Sequence, residues 1–194
     1  MPLFQPMPDG TELKQGATAG LFTAPNLITF GRLCAVPLAF WLVVERRLDA
    51  AFYLFVLAGM SDAVDGWLAR RFGGNSIGAL LDPVADKALL VTMYVTLAVV
   101  QELPDWLAIL VVFRDLLIVG GVIILGILGQ PVVIRPLYVS KLNTLLQIVL
   151  VAMTLFLEGF RLMAPVLIDV LVWLVALSTL VSGAAYVWVA AHGR

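Results

Sequence analysis

Apolar residues fall in long blocks along this chain, and polar residues are confined to short gaps between them. From Pro25 onward the blocks span residues 26–45, 50–70, 78–100, 104–128, 137–158 and 165–190. The gaps read ERRLD, ARRFGGNS, QELPD, GQPVVIRP and EGFRLMAP. They carry the glycines, prolines and charges that turn a chain at an interface. No block alternates with period two, and each is longer than the ~9–11 residues of a membrane β-strand. A helix crosses the hydrocarbon core in about 20 residues. The pattern therefore predicts an all-α integral membrane protein with six transmembrane helices.

Residues 1–24 contain no such block and hold three of the ten prolines. They are expected to form an N-terminal membrane-surface tail ahead of one transmembrane domain at 25–194. A basic region followed by an apolar core is missing from this stretch, so it does not read as a cleaved signal peptide. No internal repeat or low-complexity tract is evident.

Composition agrees. The chain is 62% hydrophobic and 13% charged, with a mean hydropathy of +1.04. A soluble domain is about 45–50% apolar and about 25% charged. One core in a chain this short could not hide so much apolar surface. The net charge of −1 and the lack of a basic run argue against a nucleic-acid partner. A single cysteine, Cys34, excludes an intrachain disulfide. The lone histidine, His192, is near the end of the chain, so no cysteine–histidine zinc site is expected. With the N-terminus inside, Lys14, Arg32, Arg70, Arg71, Arg135, Lys141 and Arg194 fall on or near the cytoplasmic side, against Arg46, Arg47 and Arg161 outside. The positive-inside rule thus predicts both termini in the cytoplasm.

Against this background the informative residues are ionisable groups within the apolar blocks, each costing roughly 2.5–3.5 kcal/mol at mid-helix. Asp62 and Asp65 are in the second block, Asp82, Asp86 and Lys87 in the third, Arg114 and Asp115 in the fourth, and Lys141 opens the fifth. Asp62 and Asp65 are spaced i, i+3, and Asp82 and Asp86 i, i+4, so each pair shares a helix face. A short loop joins the two helices, which are expected to run antiparallel side by side. All four carboxylates can then converge near the cytoplasmic surface. Such a cluster repels itself unless cations compensate. Hard oxygen ligands point to Mg²⁺ or Mn²⁺, and two ions would neutralise the set. Isolated aspartates in a span are often structural, but four at these spacings across one hairpin favour a metal site. Small residues (Gly66, Ala69, Gly73, Gly74, Gly78 and Ala79) flank the hairpin and leave room for helix packing or for a bulky ligand. Arg70 and Arg71 could anchor the helix end or grip a phosphate.

Residues 61–87 read SDAVDGWLARRFGGNSIGALLDPVADK. This resembles the signature of the CDP-alcohol phosphatidyltransferases, D-x-x-D-G-x-x-A-R, a spacer, then G-x-x-x-D-x-x-x-D. The spacer here is seven residues, one fewer than is common in that family. PNLITFGRL at 25–33 is similar to the family's first membrane helix, and the resemblance covers roughly 25–190. It implies transfer of a substituted phosphate from a CDP-linked donor to an alcohol, with release of CMP. By motif position, Asp62, Asp65 and Asp82 would hold one metal ion. Asp86 would help to hold a second and act as general base. Asp65, Gly66, Ala69, Arg70 and Gly78 would form the CDP pocket. The family implies a homodimer in the lipid bilayer, with the site facing the cytoplasm, here of a bacterial inner membrane.

VVFRDLLIVGG at 111–121 and VSKLNTLLQIVLVA at 139–152 look most like the cardiolipin synthases of this family. That implies CDP-diacylglycerol as donor and phosphatidylglycerol as acceptor. The related alternative is glycerol 3-phosphate, as in phosphatidylglycerophosphate synthases. Arg114, Lys141 and, more weakly, Arg32 are candidates for the acceptor phosphate. An internal ion pair is the bland reading of Arg114; adjacent residues on a helix face different sides, so a partner on another helix is expected ahead of Asp115. Asn143, Thr144 and Gln147 could serve the acceptor or only hydrogen-bond between helices. Intramembrane carboxylates also build ion or proton transporters. A transporter would favour midplane carboxylates and an inverted repeat, neither of which is evident.

Overall fold

The computed structural model describes the backbone over residues 24–72, 78–127 and 138–192, and side chains over 31–61, 87–121 and 138–188. Its helices are α1 (Ala24–Val44), α2 (Leu48–Phe72), α3 (Gly78–Val99), α4 (Asp105–Ile127), α5 (Tyr138–Gly159) and α6 (Pro165–His192). Each expected span is a helix, with boundaries within two residues of the apolar pattern. The tail expected at residues 1–24 lies outside the described residues except for Ala24, where α1 begins.

Three turns of one conformation join α1 to α2, α3 to α4 and α5 to α6. In each, the chain leaves the helix through a residue with positive φ: Arg46 at 58°, Gln101 at 64° and Arg161 at 56°. The same two hydrogen bonds close each cap. Arg47 N donates to Leu42 O, Glu102 N to Leu97 O and Leu162 N to Leu157 O, at 2.9, 2.9 and 2.7 Å. One residue earlier, Arg46 N donates to Val43 O, Gln101 N to Ala98 O and Arg161 N to Glu158 O. These are Schellman caps, in which the left-handed residue is usually glycine. Here a long polar side chain tolerates that conformation at each turn. The next helix restarts at once, with Pro165 in the first position of α6, where its missing N–H costs nothing.

All three turns meet at one end of the bundle. Arg46 forms an ion pair with Glu102 across two of them. Partial burial and the neighbouring Glu158 raise the Glu102 carboxyl above its ordinary range, partly offset by Arg46. At this end α5 also runs against the start of α2. A Cβ on Gly159 would lie 2.6 Å from Asp49 N and 2.9 Å from Leu48 C, both backbone atoms.

The helices pack as two four-membered rings that share an edge. α1, α2, α5 and α3 form one ring, and α3, α4, α6 and α5 the other. Among the described residues the main neighbours of α2 are α1 and α5 rather than α3, although a short loop joins α2 to α3. Both lean on α1 from one side and on α5 from the other. A short connection ties only two helix ends; the side faces decide which helices become neighbours. α3 belongs to both rings, and its Met93, Tyr94 and Leu97 are fully buried. They join Val43, Ala51, Leu107, Leu150 and Val175 of the other five helices in one continuous core.

The exterior is apolar as well. Tyr53, Met60, Ile109, Phe113, Leu116, Trp173, Leu177 and Trp188 are all exposed. A soluble monomer rarely shows so large a continuous apolar surface. Among the described residues, Tyr138–Gly159 and Pro165–Trp188 are long and apolar enough to cross a membrane.

Gly159 supplies the test of this packing. Gly159→Ala should destabilise the bundle by ~1–3 kcal/mol, the usual scale for overpacking against atoms that cannot yield. The thermal unfolding midpoint in detergent should fall, and an unchanged midpoint would contradict the close approach of α5 to α2.

Candidate active site

The three turns occupy one end, so the chain reversals after α2 and α4 lie at the other. That second end gathers the start of α1, the ends of α2 and α4, the starts of α3 and α5 and the end of α6. Every motif residue belongs to that half, and Arg114 lies near the middle of α4. Asp62, Asp65, Gly66, Ala69 and Arg70 are on α2. Gly78 opens α3, which also carries Asp82 and Asp86. The helical backbone that the i, i+3 and i, i+4 spacings require is present at all four aspartates. Their side chains, and those of Ala69 and Arg70, lie outside the described residues, as do the loop glycines Gly73 and Gly74. Among the described residues no group of three or more metal-ligating side chains occurs.

Beside the motif the bundle holds a buried ionic network. Asp115 of α4 accepts from Lys87 Nζ of α3 through Oδ2 at 2.7 Å. Its other oxygen, Oδ1, accepts from Arg114 Nη1 at 2.7 Å. Arg114 Nη2 donates to Ser140 Oγ of α5 at 2.7 Å and to Ser182 Oγ of α6 at 2.6 Å. The guanidinium carbon also lies 6.0 Å from the centre of the Tyr186 ring. Arg114 is 4% exposed and Asp115 8%. Among the described residues the network thus joins four helices, with two cations around one carboxylate.

This arrangement changes the expectation for Arg114. Adjacent helix residues diverge by about 100° (one residue of a 3.6-residue turn), yet the long Arg114 side chain bends back to reach Asp115. It also has the partners on other helices that the sequence led one to expect, but they are serines. With both terminal nitrogens committed, Arg114 is better suited to bracing the bundle than to meeting a substrate phosphate. Arg32 of α1 is also buried, at 3% exposure.

Lys141 is different. It is exposed on the first turn of α5, and its ammonium lies 6.0 Å from the centre of the Tyr138 ring. No carboxylate meets it among the described residues, so its charge can be offered to a ligand. Asn143 is fully buried and braces α5 on α6: its Oδ1 accepts from Ser178 at 2.7 Å and from Thr179 at 2.9 Å. Thr144 donates to the Ser140 carbonyl of its own helix at 3.1 Å. Gln147 is fully buried, and its main-chain carbonyl accepts from the Tyr94 hydroxyl at 3.2 Å. Interhelical bracing therefore accounts for Asn143.

The sequence reading did not anticipate Ser140 and Ser182 as Arg114 partners, nor the Lys87–Asp115 bond. Each charge was visible in an apolar block. The pairing was not, because it joins positions 28 apart for Lys87 and Asp115, and 26 and 68 apart for Arg114 and its serines.

Known proteins resemble this chain over nearly its full length. A "Cardiolipin synthase (CMP-forming) / mitochondrial hydrolase fusion protein" of Schizosaccharomyces pombe is 35% identical over 86% of this chain and 31% of its own length. A chloroplastic "CDP-diacylglycerol--glycerol-3-phosphate 3-phosphatidyltransferase 1" of Oryza sativa subsp. japonica is 35% identical over 92% of this chain and 61% of its own length. This chain thus spans less than two thirds of either relative. A "CDP-diacylglycerol--glycerol-3-phosphate 3-phosphatidyltransferase" of Bacillus subtilis is 29% identical, over 86% of this chain and 94% of its own length. The family signature matches across residues 22–191, the six helices with the motif on α2 and α3 included, and the chain belongs to the CDP-alcohol phosphatidyltransferase family.

Proposed function

We propose that this protein transfers a phosphatidyl group from CDP-diacylglycerol to a glycerol hydroxyl of an acceptor and releases CMP. The family match across 22–191, with the aspartate motif carried by two helices of one bundle end, is the observation that supports it. The six helices would span a bacterial inner membrane, with the motif end toward the cytoplasm and a second copy completing a homodimer. In that setting the donor's acyl chains stay in lipid while its CDP head reaches the motif. An ion or proton transporter, the other use of intramembrane carboxylates, is not favoured by the family.

The residues fit a divalent-ion cofactor by the chemistry of the donor set. Asp62, Asp65, Asp82 and Asp86 offer only hard carboxylate oxygens, which suit Mg²⁺ or Mn²⁺. Bound there, two such ions would neutralise charge on the pyrophosphate oxygens. Asp65, Gly66, Ala69, Arg70 and Gly78 form the CDP pocket, with Arg70 the group suited to a phosphate. Asp86 accepts the proton of the acceptor hydroxyl. The hydroxyl oxygen then forms the new bond to the phosphorus of the phosphatidyl group, and the bond to the CMP oxygen breaks. Lys141 offers its ammonium to the acceptor phosphate, and Arg32 is a second, weaker candidate for that phosphate.

The preferred acceptor is phosphatidylglycerol, on the strength of the FRDLLIVGG and SKLNTLLQ segments. The second reading, glycerol 3-phosphate, is favoured by the rice and Bacillus relatives, whose names specify it. Charge counting does not separate the two, because both acceptors carry a phosphate that Lys141 could meet.

Chelation with EDTA should abolish CMP formation, and added Mg²⁺ or Mn²⁺ should restore it. Full turnover in excess chelator would end the metal reading.

Asp86→Asn should fold and lose at least ~10²-fold in turnover, the scale expected when a general base is removed. Near-wild-type rates in a folded variant would take the base role from Asp86.

The decisive experiment on the acceptor supplies purified protein with CDP-diacylglycerol and either phosphatidylglycerol or glycerol 3-phosphate, and identifies the lipid product. Cardiolipin from the first is expected. Efficient use of glycerol 3-phosphate alone would make the second reading correct. Lys141→Ala should raise the KM of the true acceptor far more than that of CDP-diacylglycerol. An unchanged acceptor KM would remove Lys141 from the site.

A further inference from the structure

Lys87 directly follows Asp86, the proposed base, on α3. Ser140 directly precedes Lys141, the proposed acceptor contact, on α5. One continuous set of contacts joins them: Lys87 to Asp115, Asp115 to Arg114, and Arg114 to Ser140, each at 2.7 Å. We propose that Asp115 is a positioning residue, the anion whose contacts with Lys87 and Arg114 hold the base-bearing segment of α3 and the acceptor-binding start of α5 at a fixed spacing. The proposal rests on the reaction assigned above and adds to it a residue that touches neither substrate.

Burial and charge both favour this role over a merely structural one. Among the described residues Asp115 is the sole carboxylate of the network, set between two cations of which Arg114 is almost wholly enclosed. Apolar side chains of similar volume commonly hold helices together as well as buried ions do, so stability alone does not call for ions here. Short turns and the common core already join α3 to α4 and α5 to α6. What the ions add is direction. Hydrogen bonds of this kind fix where each chain end stands along its neighbour, whereas apolar contacts are non-directional. Loss of the Asp115 charge would leave Lys87 and Arg114 facing each other as like charges, and both would have to move. A displacement of ~1 Å at reacting groups can cost ~10²-fold in rate. Most of the proposed CDP pocket is on α2, which the network does not touch among the described residues.

The test compares Asp115→Asn, Asp115→Glu and Ser140→Ala with wild type in detergent or vesicles, with thermal midpoints measured alongside kinetics for both substrates. Asp115→Asn should lose ~10-fold or more in kcat and raise the acceptor KM, while the KM of CDP-diacylglycerol changes by less than about twofold. Asp115→Glu keeps the charge and should recover most of kcat. Ser140→Ala cuts only the link to α5, so it should raise the acceptor KM and leave kcat nearly unchanged. If Asp115→Asn does not fold, the Ser140→Ala split decides. Wild-type kcat and acceptor KM in a folded Asp115→Asn protein would overturn the proposal. So would losses that follow the thermal midpoint with no change in the KM ratio, or a Ser140→Ala acceptor KM equal to wild type. Absence of CMP from wild type with every acceptor would instead count against the assigned reaction itself.

Discussion

Charges in an apolar bundle must be neutralised inside it, and that constraint organises the half of this molecule that carries the motif. Arg114 has no route to water at 4% exposure. Its guanidinium is therefore met by a carboxylate and two hydroxyls drawn from its own helix, α5 and α6. Asp115 in turn draws Lys87 of α3 to itself. Four of the six helices are thereby joined at one level, and the enclosed Arg114 could not be left unpaired without several kcal/mol of desolvation cost.

The opposite end is held by other means. Three Schellman caps of one geometry turn the chain, and the residue with positive φ is arginine or glutamine rather than glycine. The side chain of each positive-φ residue at those turns is long and polar. Arg46 pairs with Glu102, and Gly159 lets α5 press against the backbone of α2. The turned end is thus held by local cap hydrogen bonds and one ion pair, and the network around Asp115 ties four helices elsewhere in the bundle.

Between the two ends, α3 belongs to both rings of helices and buries Met93, Tyr94 and Leu97 at the centre. The same helix carries Gly78, Asp82 and Asp86. A helix packed on several sides has little freedom to rotate or slide, which suits a support for the carboxylates proposed to hold metal ions and to act as base. α2 carries the other half of the motif and touches α1 and α5 rather than α3 over the described residues. The two halves of the motif thus rest on the same two helices, α1 and α5, and α3 is braced by α4 in addition.

The sequence by itself determined the six helices, because apolar block length and the Gly, Pro and charged gaps are local properties. It also carried the family signature, which is a matter of residue order and spacing across residues 61–87. The spacings placed Asp62 with Asp65 and Asp82 with Asp86 on helical backbone, as periodicity alone requires. Periodicity could not say which helices become neighbours. α1 and α5 stand beside α2 and α3 because side faces, not loop lengths, decide packing. Nor could it say that Arg114 is committed to Asp115, Ser140 and Ser182 while Lys141 stays exposed. Both are single cations in apolar surroundings in the sequence. Only the tertiary structure distinguishes them, because burial and the partners a charge finds across 26 or 68 residues depend on how the helices pack.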